Sequence, residues 1–150
     1  MSAYPVLTTS ANVQAYLSGV SFSTDTAPTL AQVNNWIAQA TSIIYGAIQD
    51  RYVLPITEGN DLKKLEALAD SFVLTTVRQV LGRNPARTLS DGSLVPIELT
   101  HRDFYKTVEM YCNGTISLEN STENASFLSS SSFNKRNDIA FVSKKNEVMW

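Results

Sequence analysis

Two stretches of helical apolar periodicity, broken apart by Arg51-Tyr-Val-Leu-Pro55-Ile56, constrain the fold of this chain more than any other feature. In the first, Leu30, Val33, Ile37, Ala40, Ile44 and Ala47 recur at steps of three and four residues and so line one side of a helix running from 29 to about 50. Trp36 and Ile43 widen that stripe, which predicts a buried helix with two neighbours rather than one. Thr29-Leu-Ala-Gln32 marks its start as a capping box, the hydroxyl and the amide each meeting a backbone N–H. The period fails at Arg51–Ile56 because a residue before proline avoids the α region and the β-branched run prefers an extended path. The chain must turn there. Glu58-Gly59-Asn60 supplies the turn, with Asn60 as an N-cap.

The second stretch, from about 61 to 81, places Leu62, Leu65, Ala69, Phe72, Thr76 and Val80 on one stripe, with Leu68, Val73 and Val77 on its shoulder. Asp61 in the first turn and Arg78 in the last suit the helix dipole, and Gly82 and Pro85 close the element. Two long helices joined by a short connection pack antiparallel most readily. A short helix from Ser10, ending before Gly19, precedes them, and a last helix capped by Thr100 presents Phe104, Val108, Tyr111 and Cys112 on one face. Between the second and last helices, residues 84–99 hold Pro85, Ser90-Asp-Gly-Ser93 and Pro96, which read as a turn-rich excursion with a two-stranded ribbon at the Asp-Gly. The expected fold is therefore mainly α, a small bundle of a short N-terminal helix, two long antiparallel helices and one C-terminal helix.

Beyond Gly114 the composition changes. Of the 22 residues at 113–134, 13 are Ser, Asn or Thr, too polar a run to offset its own conformational entropy by burial. Apolar and β-branched residues then return. The expected organisation is a helical body at 1–112, a flexible tether at 113–134 and an extended C-terminal arm with a short strand at 135–150. Charge divides in the same way. Residues 1–112 carry 8 basic and 10 acidic side chains, whereas 129–150 carry Lys135, Arg136, Lys144 and Lys145 against Asp138 and Glu147, so an acidic body trails a basic arm.

A formal charge of -2 gives no excess of Lys and Arg for neutralising phosphates, which excludes a strongly charged nucleic-acid binder. One cysteine makes no internal disulfide, and one histidine beside it is too little for a protein-made zinc site. No run of about 18 apolar residues is present, and the start lacks the features of a signal peptide. The Asn-x-Ser/Thr matches at Asn113, Asn120 and Asn124 are expected to carry no sugar, and the protein to work in a reducing cytoplasm without membrane association.

No grouping of side chains suits catalysis. The six glycines are too scattered for a phosphate-cradling loop or a dinucleotide fingerprint. His101 and Cys112 fall near one helical face but eleven residues apart, roughly 16 Å, too far for a nucleophile and its base. They read as a surface histidine and a buried structural cysteine. The acidic pairs Asp50 with Glu58 and Asp61 with Glu66 read as solvated faces or caps rather than an acid and a base. The expectation is a protein without enzymatic activity or cofactor. Arg51 beside Tyr52 at a helix end has the form of an interface pair, while its simpler role is to tuck the turn under the bundle and meet the helix dipole. In the arm, Phe133, Ile139, Phe141, Val142 and Trp150, with Lys135, Arg136, Lys144 and Lys145, are more than a solvating tail needs and point to a segment that binds a partner.

A capped helix with Trp36-Ile37-x-x-Ala40 leads directly into Arg51-Tyr52-x-x-Pro55, and a second helix opens at Leu62-Lys63. With the short helix around Asn12-Val13 before them, these parts resemble the head-to-tail connector, or adaptor, proteins of tailed double-stranded DNA bacteriophages. The resemblance covers roughly residues 4–112. It implies a small helical bundle that assembles as a ring, usually of twelve copies, in the virion neck between the portal and the stopper or tail, with DNA passing through the channel without sequence-specific binding. It implies no enzymatic activity. Trp36, Arg51 and Tyr52 are its candidate ring contacts, and the arm at about 127–150 is its candidate grip on the portal or a neighbouring copy. Two other readings fit less of the chain: a stopper or tail-completion protein of the same neck, which would be richer in β structure, and a small cytoplasmic helical regulator binding a peptide or nucleic acid, which would focus its basic residues on one helix.

Overall fold

The computed structural model describes residues 4–57, 59–82 and 101–125. It is mainly helical: α1 spans Ser10–Ala15, α2 Leu30–Ile48, α3 Gly59–Val80 and α4 Arg102–Cys112. The ribbon expected at 84–99 and the arm strand lie outside the described residues. α2 and α3 share the most extensive contact, α4 packs on both, and α1 leans on both from the N-terminal side.

The start of α2 follows the expected chemistry. Thr29 Oγ1 accepts from the Gln32 N–H at 3.2 Å and Gln32 Oε1 from the Thr29 N–H at 2.9 Å, a complete capping box. The buried stripe is Val33, Ile37, Ala40, Ile44 and Ile48, but Leu30 is 37% exposed and Thr41 and Tyr45 are buried instead. The reason is that the N-terminal segment lies along this side of α2. The Leu7 N–H donates to Thr41 Oγ1 at 3.1 Å, and the Tyr4 ring sits 5.0 Å from that of Tyr45. Thr8 also donates to Asp70 of α3, so residues before α1 are tied to both long helices. α1 itself is capped by Thr9, which accepts from the Asn12 N–H, one residue before the expected Ser10.

On α3 the expected shoulder of Val73 and Val77 is central, with Leu65, Ala69 and Phe72, while Val80 faces solvent. Asp61 is buried on this helix, against the expectation of a solvated face or cap, and Asp70 is buried as well. Gly82, at φ +64°, closes α3 in the left-handed conformation that glycine adopts without strain.

α4 corrects the reading of the histidine and the cysteine. His101, not Thr100, occupies the N-cap position, without a side-chain capping bond, and Thr100 is outside the described residues. His101 is buried, its ring stacked 4.3 Å from Phe72 with Nε2 3.3 Å from Thr76 Oγ1, whereas Cys112 is exposed. Steps of three, four and three residues put His101 with Phe104, Val108 and Tyr111, and Cys112 is turned about 100° away.

Burial pushes the His101 pKa below its ordinary 6.5. Folding therefore favours the neutral ring. Its stabilising effect is fully present above pH 6.5 and is lost as pH falls from the unfolded value toward the lower folded one. As this is the only histidine in the chain, thermal melts between about pH 7 and 5 should show a decline that His101→Gln flattens. Parallel profiles for the two proteins would refute this assignment.

Candidate functional site

The segment after α4 is not a free tether over its described length: residues 113–125 form a strap across the α2–α3 corner, and two buried charges hold it. The first is Arg51, 5% exposed. All five of its N–H donors are used. Nε and Nη2 donate to Glu123 Oε1 at 3.1 and 2.9 Å, Nη2 also to Ser117 Oγ at 2.9 Å, and Nη1 to the Tyr111 and Ile116 carbonyls at 3.1 Å each. The planar fork of the guanidinium suits this fixed set of acceptors, two of which are carbonyls at the end of α4 and just beyond it.

Tyr52 continues the corner. Its ring is 1% exposed with the guanidinium carbon of Arg51 4.9 Å from its centroid, and its hydroxyl accepts from the Leu118 N–H at 2.9 Å. Residues 52 and 123 form an antiparallel bridge. The Val53 N–H donates to the Thr122 carbonyl at 2.9 Å and the Asn124 N–H to the Arg51 carbonyl at 2.7 Å. The Asn124 amide donates to the Gln49 and Asp50 carbonyls at 2.9 and 3.2 Å, capping α2 from 75 residues away.

Asp61, in the first turn of α3, is the second anchor, at 0% exposure. Its carboxylate accepts from the Glu119 N–H at 3.2 Å, the Asn120 N–H at 2.8 Å and the Ser121 hydroxyl at 2.7 Å, and Lys64 Nζ lies 3.8 Å away. Burial alone would raise its pKa, but the Ser121, Asn120 and Glu119 donors and the Lys64 charge outweigh this and hold the carboxyl below its ordinary 3.8. Between the two anchors Leu118 is buried.

The tight entry to the strap requires Gly114. Its φ is +86°, and a Cβ there would meet Arg51 Nη1 at 3.2 Å. Gly114→Ala should therefore destabilise the fold by about 1–2 kcal/mol from the left-handed backbone alone, with a further loss wherever the guanidinium shifts off its carbonyls. Urea denaturation measures this, and an unchanged midpoint would contradict it.

Among the proposed ring contacts, Arg51 and Tyr52 thus spend their contacts within the chain, while Trp36 is half-buried on α2 against the core. The proposed arm residues Phe133, Lys135, Arg136, Ile139, Phe141, Val142, Lys144, Lys145 and Trp150 lie outside the described residues. Sequence reasoning missed Asp61 and the strap because their partners are about 60 residues apart, and no local pattern pairs them. Among the described residues, no cluster of His, Cys, Asp and Glu could hold a metal ion, and no helix is long and apolar enough to cross a membrane. The chain matches no family model, no curated protein and no solved structure.

Proposed function

We propose that this chain is a structural adaptor of a tailed-phage neck, a ring component joining the portal to the stopper or tail while DNA passes through. The observation that carries this reading is the helix, Arg51-Tyr52-x-x-Pro55 corner and second helix on which the family resemblance rests. Among the described residues this corner is a densely hydrogen-bonded junction, with Arg51 at the centre. Such a corner makes the body a firm support, and Asn124 of the strap sits at the end of α2. The sequence from 126 on carries the basic and aromatic side chains suited to a grip on a second ring, where many tethered weak contacts act together. The helical make-up of the described residues favours an adaptor over a β-rich stopper.

Electron microscopy of the full chain mixed with portal protein tests the reading. The expected result is a second ring on the portal, and its absence would sink the proposal. Deleting 127–150 should abolish portal binding while leaving the melting temperature of the body within a few degrees, because the strap anchors Arg51, Asp61 and Asn124 all precede the deletion. Undiminished binding would remove the arm from the account.

A further inference from the structure

Asn113-Gly114 is the one Asn-Gly pair in the chain, and it stands where α4 ends and the strap begins. An asparagine before a glycine can react with its own backbone, because the next amide nitrogen can close a five-membered ring on the side-chain carbonyl carbon and glycine has no Cβ in the way. The fold surrounds these atoms with groups that help. Asn113 is exposed, and its Oδ1 accepts twice from Thr115, at 3.0 Å from the N–H and 2.7 Å from the hydroxyl. Among the described residues the Gly114 N–H donates to no backbone carbonyl. The Arg51 guanidinium lies against Gly114, where a Cβ would be 3.2 Å from Nη1, 3.5 Å from Cζ and 3.7 Å from Nη2. We propose that Asn113 is a self-modification site, converted through a cyclic imide to isoaspartate, and that this conversion releases the strap.

The Gly114 nitrogen loses its proton to water and bonds to Asn113 Cγ. The Cγ–Nδ2 bond then breaks, and Nδ2 regains a proton and leaves as ammonia. Water next opens the ring. Opening on the Cγ side gives aspartate, whereas opening at the backbone carbonyl gives isoaspartate, in which the chain runs on through Cγ and a carboxylate is left on Cα. No electrons are transferred, and water is the one co-reactant. Negative charge builds on Oδ1 as the nitrogen attacks, and the two Thr115 donors already aimed at that oxygen stabilise it as an oxyanion hole does. The adjacent guanidinium favours the deprotonated nitrogen. Opposing both, Asn113 must turn away from its ψ of -3° before the nitrogen reaches Cγ. The change is therefore slow and one-way, a mark of the age of the chain.

Its effect follows from what Arg51 holds. Nη1 donates to the Tyr111 and Ile116 carbonyls at 3.1 Å each, one on either side of the reacting pair. Isoaspartate lengthens the backbone between those carbonyls by one CH2, so a single nitrogen no longer meets both and the strap loses its first anchor. Aspartate keeps the backbone length and leaves both bonds in place. None of this rests on the adaptor reading.

The test incubates the full chain for weeks at neutral pH and follows the peptide holding residue 113 by mass spectrometry, with fragmentation that tells isoaspartate from aspartate. The wild type should gain the mass of an amide-to-acid change there, with isoaspartate among the products. Thr115→Val removes the hydroxyl donor at an exposed position and should slow the folded chain about tenfold, while Thr115→Ser should restore the rate. In urea the three chains should react alike, because the donors are no longer held on Oδ1. The isoaspartate form, separated by its added charge, should lose hydrogen-exchange protection at Leu118 and Asn124 by about tenfold or more, and Asn113→Asp should keep it. An unreacted Asn113, aspartate as the sole product, equal rates for folded wild type and Thr115→Val, no recovery by Thr115→Ser, or a difference that persists in urea would each overturn the proposal. So would unchanged protection in the isoaspartate form, or an equal loss from Asn113→Asp, which would assign the release to charge rather than to backbone length.

Discussion

Arg51→Ala should be the most damaging single substitution in the described fold, lowering stability by about 3–5 kcal/mol. The side chain is almost fully enclosed, and its removal strands Glu123, the Ser117 hydroxyl and the Tyr111 and Ile116 carbonyls at once. Most of the cost comes from the enclosed Tyr111 carbonyl and the part-buried Ile116 carbonyl left without donors rather than from the ion pair itself, since the Glu123 side chain is still 26% exposed. For a chain of this size the melting temperature should fall by about 10 °C or more. Arg51→Lys should recover only part of the loss, because an ammonium is a point charge with three donors and cannot reproduce the fork. Glu123→Gln should be milder than either, as its amide keeps an oxygen for the guanidinium. Hydrogen exchange supplies the local readout: protection at Leu118 and Asn124, whose N–H groups donate to Tyr52 Oη and the Arg51 carbonyl, should fall first. Stability within about 1 kcal/mol of the wild type would show that Arg51 does not hold the strap.

The features legible in the sequence and those hidden in it differ in range. Thr29 and Gln32 are three residues apart and satisfy each other wherever the helix goes, so the capping box was readable as written. The α2 stripe was readable for the same reason, until the segment around Tyr4 and Leu7 came to lie on it and drew Tyr45 and Thr41 inward. The position of His101 was also within reach, since its spacing to Phe104, Val108 and Tyr111 continues the buried face. A polar residue at a helix start reads as solvated only while the ring it stacks on, Phe72, is unknown. The strap was beyond reach. Its Ser and Asn content describes a chain that cannot bury itself by apolar area, yet Asp61, Arg51 and Tyr52 bind its backbone and hydroxyls one by one. Composition measures the first property and is blind to the second. The same blindness left open whether Arg51 and Tyr52 meet a neighbour or tuck the turn under the bundle, and it could not show that they bind residues 111–124 of their own chain.

Asp61→Asn should cost about 2–4 kcal/mol near neutral pH, the worth of one or two hydrogen bonds to a charged acceptor together with a donor left facing donors. The amide retains one oxygen for the Asn120 N–H or the Ser121 hydroxyl, but its NH2 group must then point at the Glu119 N–H or at Lys64. The pH dependence identifies the group. Because the folded carboxyl is held below its ordinary 3.8, the unfolded chain binds the proton more readily. The stabilisation is therefore complete above pH 3.8 and is lost as pH falls through the folded value. Urea midpoints for the wild type should decline steeply in that acid window, and those of Asp61→Asn should start lower and decline less, so that the two curves converge. Curves that stay parallel down to about pH 3 would show that the strap is not held by the charge on Asp61. Convergence would identify a buried carboxylate as the group that turns a polar, low-complexity segment into part of the fold.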